Sequence, residues 1–285
     1  MASDRFDLRA APCHVGRVML KVRNLDAMER FYRTVIGLEI LASGEQSRSL
    51  GAGGAVLLEL VEDGALAPRD PRQAGLFHTA FLLPQRVDLA HWLVHAAENR
   101  VGLQGASDHI VSEAIYLADP EGNGIEIYAD RPPSAWQDVS GGIRMTTDPL
   151  DIDGLVGEIQ GGRWQGFPAE GLIGHVHLQV GDTAEAERFY GELLGFDIML
   201  RYPGATFLGM GGYHHQLAGN IWNSRGAGMR DADMTGLGWV ELITDDERIA
   251  AVRERASRAG LETSEKDGAL RLADPWGTEL ILSPG

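Results

Sequence analysis

Gly16-Arg-Val-Met-Leu-Lys-Val22 and Gly174-His-Val-His-Leu-Gln-Val180 read as one strand written twice, and that reading decides the fold. Both alternate as a β-strand does. A short acidic turn follows each copy, then a helix carrying Glu-Arg-Phe-Tyr, at 29–32 and again at 187–190. Next comes a Gly-apolar-acidic-Ile step, from Gly37 to Ile40 and from Gly195 to Ile198, which reads as a helix C-cap entering a strand. Positions 16, 29 and 37 recur at 174, 187 and 195, a constant step of 158. Self-similarity at a fixed step marks a repeated supersecondary unit.

A second repeat lies inside each half. Leu117-Ala-Asp-Pro-Glu-Gly122 matches Leu272-Ala-Asp-Pro-Trp-Gly277. Upstream of these stand the alternating strands Phe77–Leu83 and Leu237–Ile243, with an amphipathic helix following each, near 86–99 and 245–259. The chain therefore reads as four modules, near 15–65, 75–130, 173–223 and 235–283. The expected fold class is α+β, with four βαβββ modules forming two paired-module domains over 12–130 and 172–285. Residues 131–171, rich in Gly, Pro and Asp, read as a linker that packs on the surface, since they include Met145 and Trp164.

Composition narrows the function classes. A net charge of −16 over 285 residues argues against nucleic-acid or anionic-membrane partners, which need basic patches. No apolar run approaches a membrane span, and MASDRFDLRAAP lacks a signal-peptide core. A single cysteine, Cys13, excludes an intrachain disulfide framework and fits a reducing compartment, so a cytoplasmic location is expected. Exposed sheet edges between modules lead us to expect a homo-oligomer.

The chemistry-bearing stretch is His109-Ile-Val-Ser-Glu-Ala-Ile-Tyr116-Leu-Ala-Asp-Pro-Glu-Gly-Asn-Gly-Ile-Glu126. The Asp-Pro-x-Gly turn joins a strand carrying Tyr116 to one carrying Glu126. Alternation puts Gly124, Glu126 and Tyr128 on one face, with Ile125 and Ile127 on the other. Taken alone, Glu126 reads as a solvated hairpin carboxylate. Comparison among the modules changes that reading. The equivalent first-strand positions hold Arg17, His78, His175 and Gly238, and the position seven after the Asp holds Glu126 or Ile281. Only the middle modules carry ligand types, and two imidazoles with one carboxylate form the 2-His-1-carboxylate set of open iron(II) sites. His177 shares a strand face with His175, but the repeat aligns His175 with His78. His91 and His95, spaced i and i+4, read as helix-surface residues because no third ligand stands near them.

On these residues the chain resembles the vicinal-oxygen-chelate superfamily. His109 to Glu126 is similar to the signature of extradiol ring-cleavage dioxygenases, specifically the two-domain bacterial catechol 2,3-dioxygenase type. The resemblance implies that His78, His175 and Glu126 hold Fe(II), or Mn(II), which prefers similar donors. It implies Tyr116 and His109 beside a bound catechol and an acid–base histidine within Tyr213-His-His-Gln-Leu217, where His215 aligns best and His214 is the alternative. Substrates would be a small aromatic diol and O2, and the product a 2-hydroxymuconic semialdehyde type. In many extradiol enzymes the signature closes the last module, whereas here the fourth has lost it, with Arg271 for the tyrosine and Ile281 for the glutamate. A complete site then requires the second module to pair with the third and the first with the fourth. A His78–His175 separation above about 6 Å would defeat it, since metal–nitrogen bonds run near 2 Å. Two other functions use the same scaffold. One is a glyoxalase-like isomerase or thiol transferase, with Gln216 or His214 as fourth ligand. The other is a metal-free protein that sequesters an aromatic drug.

Overall fold

The computed structural model describes residues 5–137 and 141–285. Residues 1–4 of the opening segment and 138–140 of the linker lie outside the described residues. The first module comprises β1 (Cys13–Val22), α1 (Leu25–Phe31), β2 (Glu39–Ser43), β3 (Ser47–Ala52) and β4 (Ala55–Glu62). The second comprises β5 (Gly75–Leu83), α2 (Arg86–Glu98), β6 (Leu103–Asp108), β7 (Ser112–Ala118) and β8 (Gly124–Asp130). After β9 (Asp148–Pro149) and α3 (Ile152–Val156), the third has β10 (Leu172–Gln179), α4 (Thr183–Ala186), β11 (Asp197–Tyr202), β12 (Ala205–Gly209) and β13 (Leu217–Asn220). The fourth has β14 (Gly236–Thr244), α5 (Asp246–Arg258), β15 (Thr263–Lys266), β16 (Ala269–Ala273) and β17 (Glu279–Pro284). Helices α1 and α4 each run into a π-helical turn, Tyr32–Ile36 and Glu187–Leu193. The glycines closing them, Gly37 and Gly195, are left-handed with φ of 86° and 89°, the conformation that a helix C-cap asks of glycine.

Two sheets form, and each takes one module from each half of the chain. One runs β15-β16-β17-β14-β1-β4-β3-β2, from modules four and one. The other runs β11-β12-β13-β10-β5-β8-β7-β6-β9, from modules three and two. The joins are antiparallel, β1 with β14 and β5 with β10. Apolar side chains on one face of the strands, with Met28, Leu89, Trp92 and Val252 from the helices, make a continuous core. The other face of the second sheet is left for polar residues, and there the site is built.

The two repeats meet in space. Tyr32 of the first Glu-Arg-Phe-Tyr donates its hydroxyl to Asp119 Oδ2 at 3.0 Å, and Tyr190 of the second donates to Asp274 Oδ2 at 2.6 Å. Each Asp-Pro turn is therefore tethered by the module before it. Both bonds are buried; without its tyrosine Asp119 Oδ2 keeps the Asn123 amide at 2.8 Å, whereas Asp274 Oδ2 loses the hydroxyl that holds it. Tyr32→Phe is expected to lower unfolding free energy by about 1–3 kcal/mol. Urea titration with a Tyr190→Phe comparison checks this, and a change below a few tenths for both would refute the tether.

The segment read as a linker does more than connect. Strand β9 pairs with β6 through Ser107↔Pro149 and Asp108↔Asp148, covering a sheet edge. Leu155 of α3 is fully buried, and Trp136 and Phe167 are almost so. Edge strands leave backbone donors and acceptors unpaired, which gives a physical reason for the cover. No helix among the described residues is long and apolar enough to cross a membrane.

Candidate metal centre

Three adjacent strands bring the candidate ligands together. Strand β5 is flanked by β8, running parallel, and by β10, running antiparallel, and Ala80 of β5 sits opposite both Glu126 and His175. His78, two residues before Ala80, falls on the same face. A bulge between Ile173 and His175 sets the register of β10. Gly174 is required there because a Cβ would stand 1.7 Å from the Tyr128 hydroxyl oxygen.

His78, Glu126 and His175 are buried, and one potential ligand atom from each lies within 4.8 Å of the others. Glu126 Oε2 is 2.9 Å from His78 Nε2 and 3.1 Å from His175 Nε2. Ligands at right angles on bonds of about 2.1 Å stand about 3.0 Å apart, so both edges match a facial metal site. At 2.9 Å, His78 Nε2 still has no partner in hydrogen-bonding geometry. His175 Nδ1 is likewise unpartnered. Burial pushes His175 below the usual imidazole range and keeps it neutral, the form that binds metal. Burial alone would raise Glu126, but His175 and then His78 outweigh it and hold the carboxyl well below the usual carboxylate range. Among the described residues lining the cavity there is no lysine or arginine to act as its counter-ion. A buried carboxylate with neutral imidazoles and no cationic side chain is a donor set that fits a divalent cation.

The cavity above these atoms has a volume of about 260 Å³. His215 lines it, its ring 4.1 Å from that of His175. Burial, reinforced by His175 and His214, pushes His215 well below the imidazole range. His109 and Tyr116 form a pair on the opposite wall. His109 Nδ1 lies 2.6 Å from the Thr146 carbonyl, so it donates there, and Nε2, 2.6 Å from the Tyr116 hydroxyl, accepts from it. Burial and the Glu126 carboxylate hold the Tyr116 hydroxyl well above its ordinary pKa, hence protonated.

The other candidates fall elsewhere. His177 Nε2 is hydrogen-bonded to the Asn220 amide at 3.0 Å, outside the three-residue cluster. His214 does not line the cavity, because its Nε2 meets Asp130 at 2.8 Å. Gln216 is turned away, bonded to the backbone of Met210 and Cys13. Nε2 of His91 and of His95 meets the backbone carbonyls of Gly161 and Thr34. Cys13 is buried, its thiol pushed up to about 12 by burial. Met145, Thr146 and Thr147 of the connecting segment also line the cavity, and the sequence reading missed them as site residues. Met145, an apolar residue in a polar stretch, was the one signal. In the other sheet the corresponding region supplies its own cation: Arg17 Nε meets Glu241 at 2.7 Å, and its Nη1 meets Glu59.

Comparison with known proteins agrees with this architecture. The chain is 40% identical over 268 residues to the catechol-2,3-dioxygenase of Bacillus subtilis (strain 168), covering 92% of this chain and 94% of that enzyme. It is 28% identical over 116 residues to the metallothiol transferase FosB of Staphylococcus epidermidis, covering 40% of this chain and 81% of the relative. A glyoxalase I mutant from Zea mays shares the fold, with a TM-score of 0.61 at 15% identity over 97% of this chain and 95% of that one. The model of the glyoxalase/bleomycin resistance protein/dioxygenase superfamily matches residues 14–127 and 172–280. By both its paired modules and these matches, the chain belongs to that superfamily, also called vicinal oxygen chelate.

Proposed function

We propose that this chain is an Fe(II)-dependent extradiol dioxygenase that cleaves a catechol ring beside its two hydroxyls. The observation that carries the reading is the convergence of His78, His175 and Glu126 at the floor of a catechol-sized cavity. The 40% identity to a catechol-2,3-dioxygenase supports the same substrate class. A glyoxalase-like reading needs a fourth ligand, and Gln216 and His214 are both engaged elsewhere.

Fe(II) held by the three residues would supply the electron path between a chelated catechol and dioxygen; Mn(II) prefers the same donors. Phe77, Val111, Leu200 and Phe207 offer the ring apolar surface and exclude water. His215, neutral through burial, takes a proton from a substrate hydroxyl and later returns one as an acid. The Tyr116 proton is committed to His109, so its oxygen accepts from the second hydroxyl, and the Thr146 carbonyl fixes the ring that orients it. Both oxygen atoms of O2 enter the product, a 2-hydroxymuconic semialdehyde when the substrate is catechol.

Anaerobic loading with Fe(II), followed by catechol and oxygen, tests the assignment. A yellow product with one O2 consumed per ring is expected. No oxygen uptake, with Ni(II)- or Zn(II)-dependent turnover of a hemithioacetal or thiol, would replace this reading with the glyoxalase type. Tyr116→Phe is expected to keep its metal and lower kcat about twofold to tenfold, the worth of one hydrogen bond between neutral groups. Equal turnover in that variant would remove Tyr116 from the mechanism. Substituents should be read by charge. With no lysine or arginine among the described residues lining the cavity, a carboxylated ring leaves its anion unpaired, while alkyl groups meet Phe77, Leu200 and Trp222. We expect kcat/KM for 4-methylcatechol to exceed that for 3,4-dihydroxyphenylacetate by about a hundredfold. Comparable values would mean a cation reaches the pocket.

A further inference from the structure

Behind His215, away from the cavity, runs a buried chain of hydrogen bonds that the mechanism above leaves unused. It begins at Asp130, the last residue of β8. Asp130 Oδ1 is 2.8 Å from His214 Nε2, and His214 Nδ1 is 2.8 Å from His215 Nδ1. The second carboxylate oxygen accepts from the Tyr213 hydroxyl at 3.0 Å, which in turn lies 2.8 Å from the Tyr128 hydroxyl. The His214 side chain has no exposed surface, and its ring is held between Tyr213 and Trp136, with centroids 4.0 and 4.9 Å away.

Donor and acceptor bookkeeping then runs one way. An ionised carboxylate only accepts, so His214 donates from Nε2. A neutral ring with its proton on Nε2 offers a lone pair at Nδ1, so His215 must donate from its own Nδ1. With Nδ1 spent on His214, the bare nitrogen of His215 is Nε2, on a ring that lines the cavity. Free histidine favours the opposite tautomer, with the proton on Nε2.

We propose that Asp130 and His214 are positioning residues that fix His215 as its Nδ1–H tautomer and present an unprotonated Nε2 to the substrate hydroxyl. In the resting protein the ring is neutral and only the seat of its one proton is decided; the proton taken from the substrate goes to Nε2. The catalytic meaning rests on the dioxygenase reading, but the tautomer does not. The arrangement follows the logic by which a carboxylate orients the base of a serine-protease triad, where an Asp→Asn change leaves the geometry intact and costs about 10⁴ in kcat through the wrong tautomer.

The test uses the full-length protein labelled with ¹⁵N-histidine and loaded with diamagnetic Zn(II), with the His215 signals identified by their loss in His215→Ala. The wild type is expected to show a protonated Nδ1 and a bare Nε2 at His215. In Asp130→Asn the amide oxygen keeps the Tyr213 hydroxyl and the amide nitrogen donates to His214, which reverses the chain and puts the His215 proton on Nε2. His214→Phe keeps the stacked ring but removes the acceptor, and the same shift is expected. With Fe(II), both variants should bind metal normally and lose at least about a hundredfold in kcat with KM little changed. A wild-type His215 protonated on Nε2 overturns the proposal, as does an Asp130→Asn protein with unchanged tautomer and turnover. If a variant does not fold, the wild-type spectrum still decides. A correct tautomer in a protein that cleaves no catechol would refute the function above and leave the positioning intact.

Discussion

Glu126→Ala is expected to abolish tight metal binding and to lower the stability of the metal-free protein. Oε2 of this residue is the atom that both histidines approach, at 2.9 and 3.1 Å. Without it, two neutral imidazoles remain, and the only negative donor is gone. Losing an outer-shell partner of a ligand already costs about 10–100-fold in affinity, so losing the ligand should cost more. His175→Ala should fail to bind metal for the same geometric reason. The stability half is less intuitive. Glu126 is a buried carboxylate with no lysine or arginine among the described residues lining its cavity. The two imidazoles hold its carboxyl well below the usual carboxylate range, so the ionised form is favoured in the fold even before a cation arrives. A carboxyl whose folded-state pKa is depressed contributes stability at neutral pH that is lost as pH falls through that pKa. The isosteric Glu126→Gln should therefore lose about 1 kcal/mol or more in the metal-free state, about 2–4 °C in Tm for a chain of this size. Metal content by elemental analysis and melting in the presence of chelator measure the two effects. Wild-type affinity in Glu126→Ala or His175→Ala would sink the centre.

His215→Ala should behave in the opposite way: full metal content with turnover reduced about 10²–10⁴-fold, the range for a general acid–base group. His215 is not part of the three-residue cluster, and its Nδ1 is directed at His214. Removing the ring also strands the buried Nδ1 of His214, so a folding cost of about 1–3 kcal/mol should accompany the change. Substrate should still bind, through the metal and the apolar wall, so the loss should appear in kcat and not in KM. Loss of metal from His215→Ala would recast the residue as a ligand, and unchanged turnover would pass the proton-transfer role to another group.

Some of this was legible residue by residue. The helices expected near 86–99 and 245–259 appear as Arg86–Glu98 and Asp246–Arg258. Gly37 and Gly195 cap their turns in the left-handed conformation that the Gly-apolar-acidic-Ile step implied. Such features depend on neighbours a few positions apart, which a sequence displays directly. The Tyr32–Asp119 tether was not legible, although both partners stood in recognised repeats, because no local pattern states which tyrosine faces which aspartate. Thr146 was missed because its contribution is a backbone carbonyl, which every residue carries. His214 and His215 are adjacent, and only the place of Asp130 gives them different duties.

What the sequence determined by itself is the module and the residue type at each of its positions. Side chains alternate along a strand by covalent geometry, so Arg17, His78, His175 and Gly238 can be compared without knowing where they lie. The placing of ligand types required the second module to meet the third and the first the fourth, and the sheets are paired in that way; how the strands meet was decided by the tertiary structure alone. Strand β5 pairs with β10 across the connector, and a bulge before His175 sets it opposite Ala80, beside Glu126. Strand pairing is a contact between distant segments, and one residue of slip would turn His175 to the other face. That register is fixed by packing such as the Tyr128 hydroxyl against Gly174, which no neighbour in the sequence encodes.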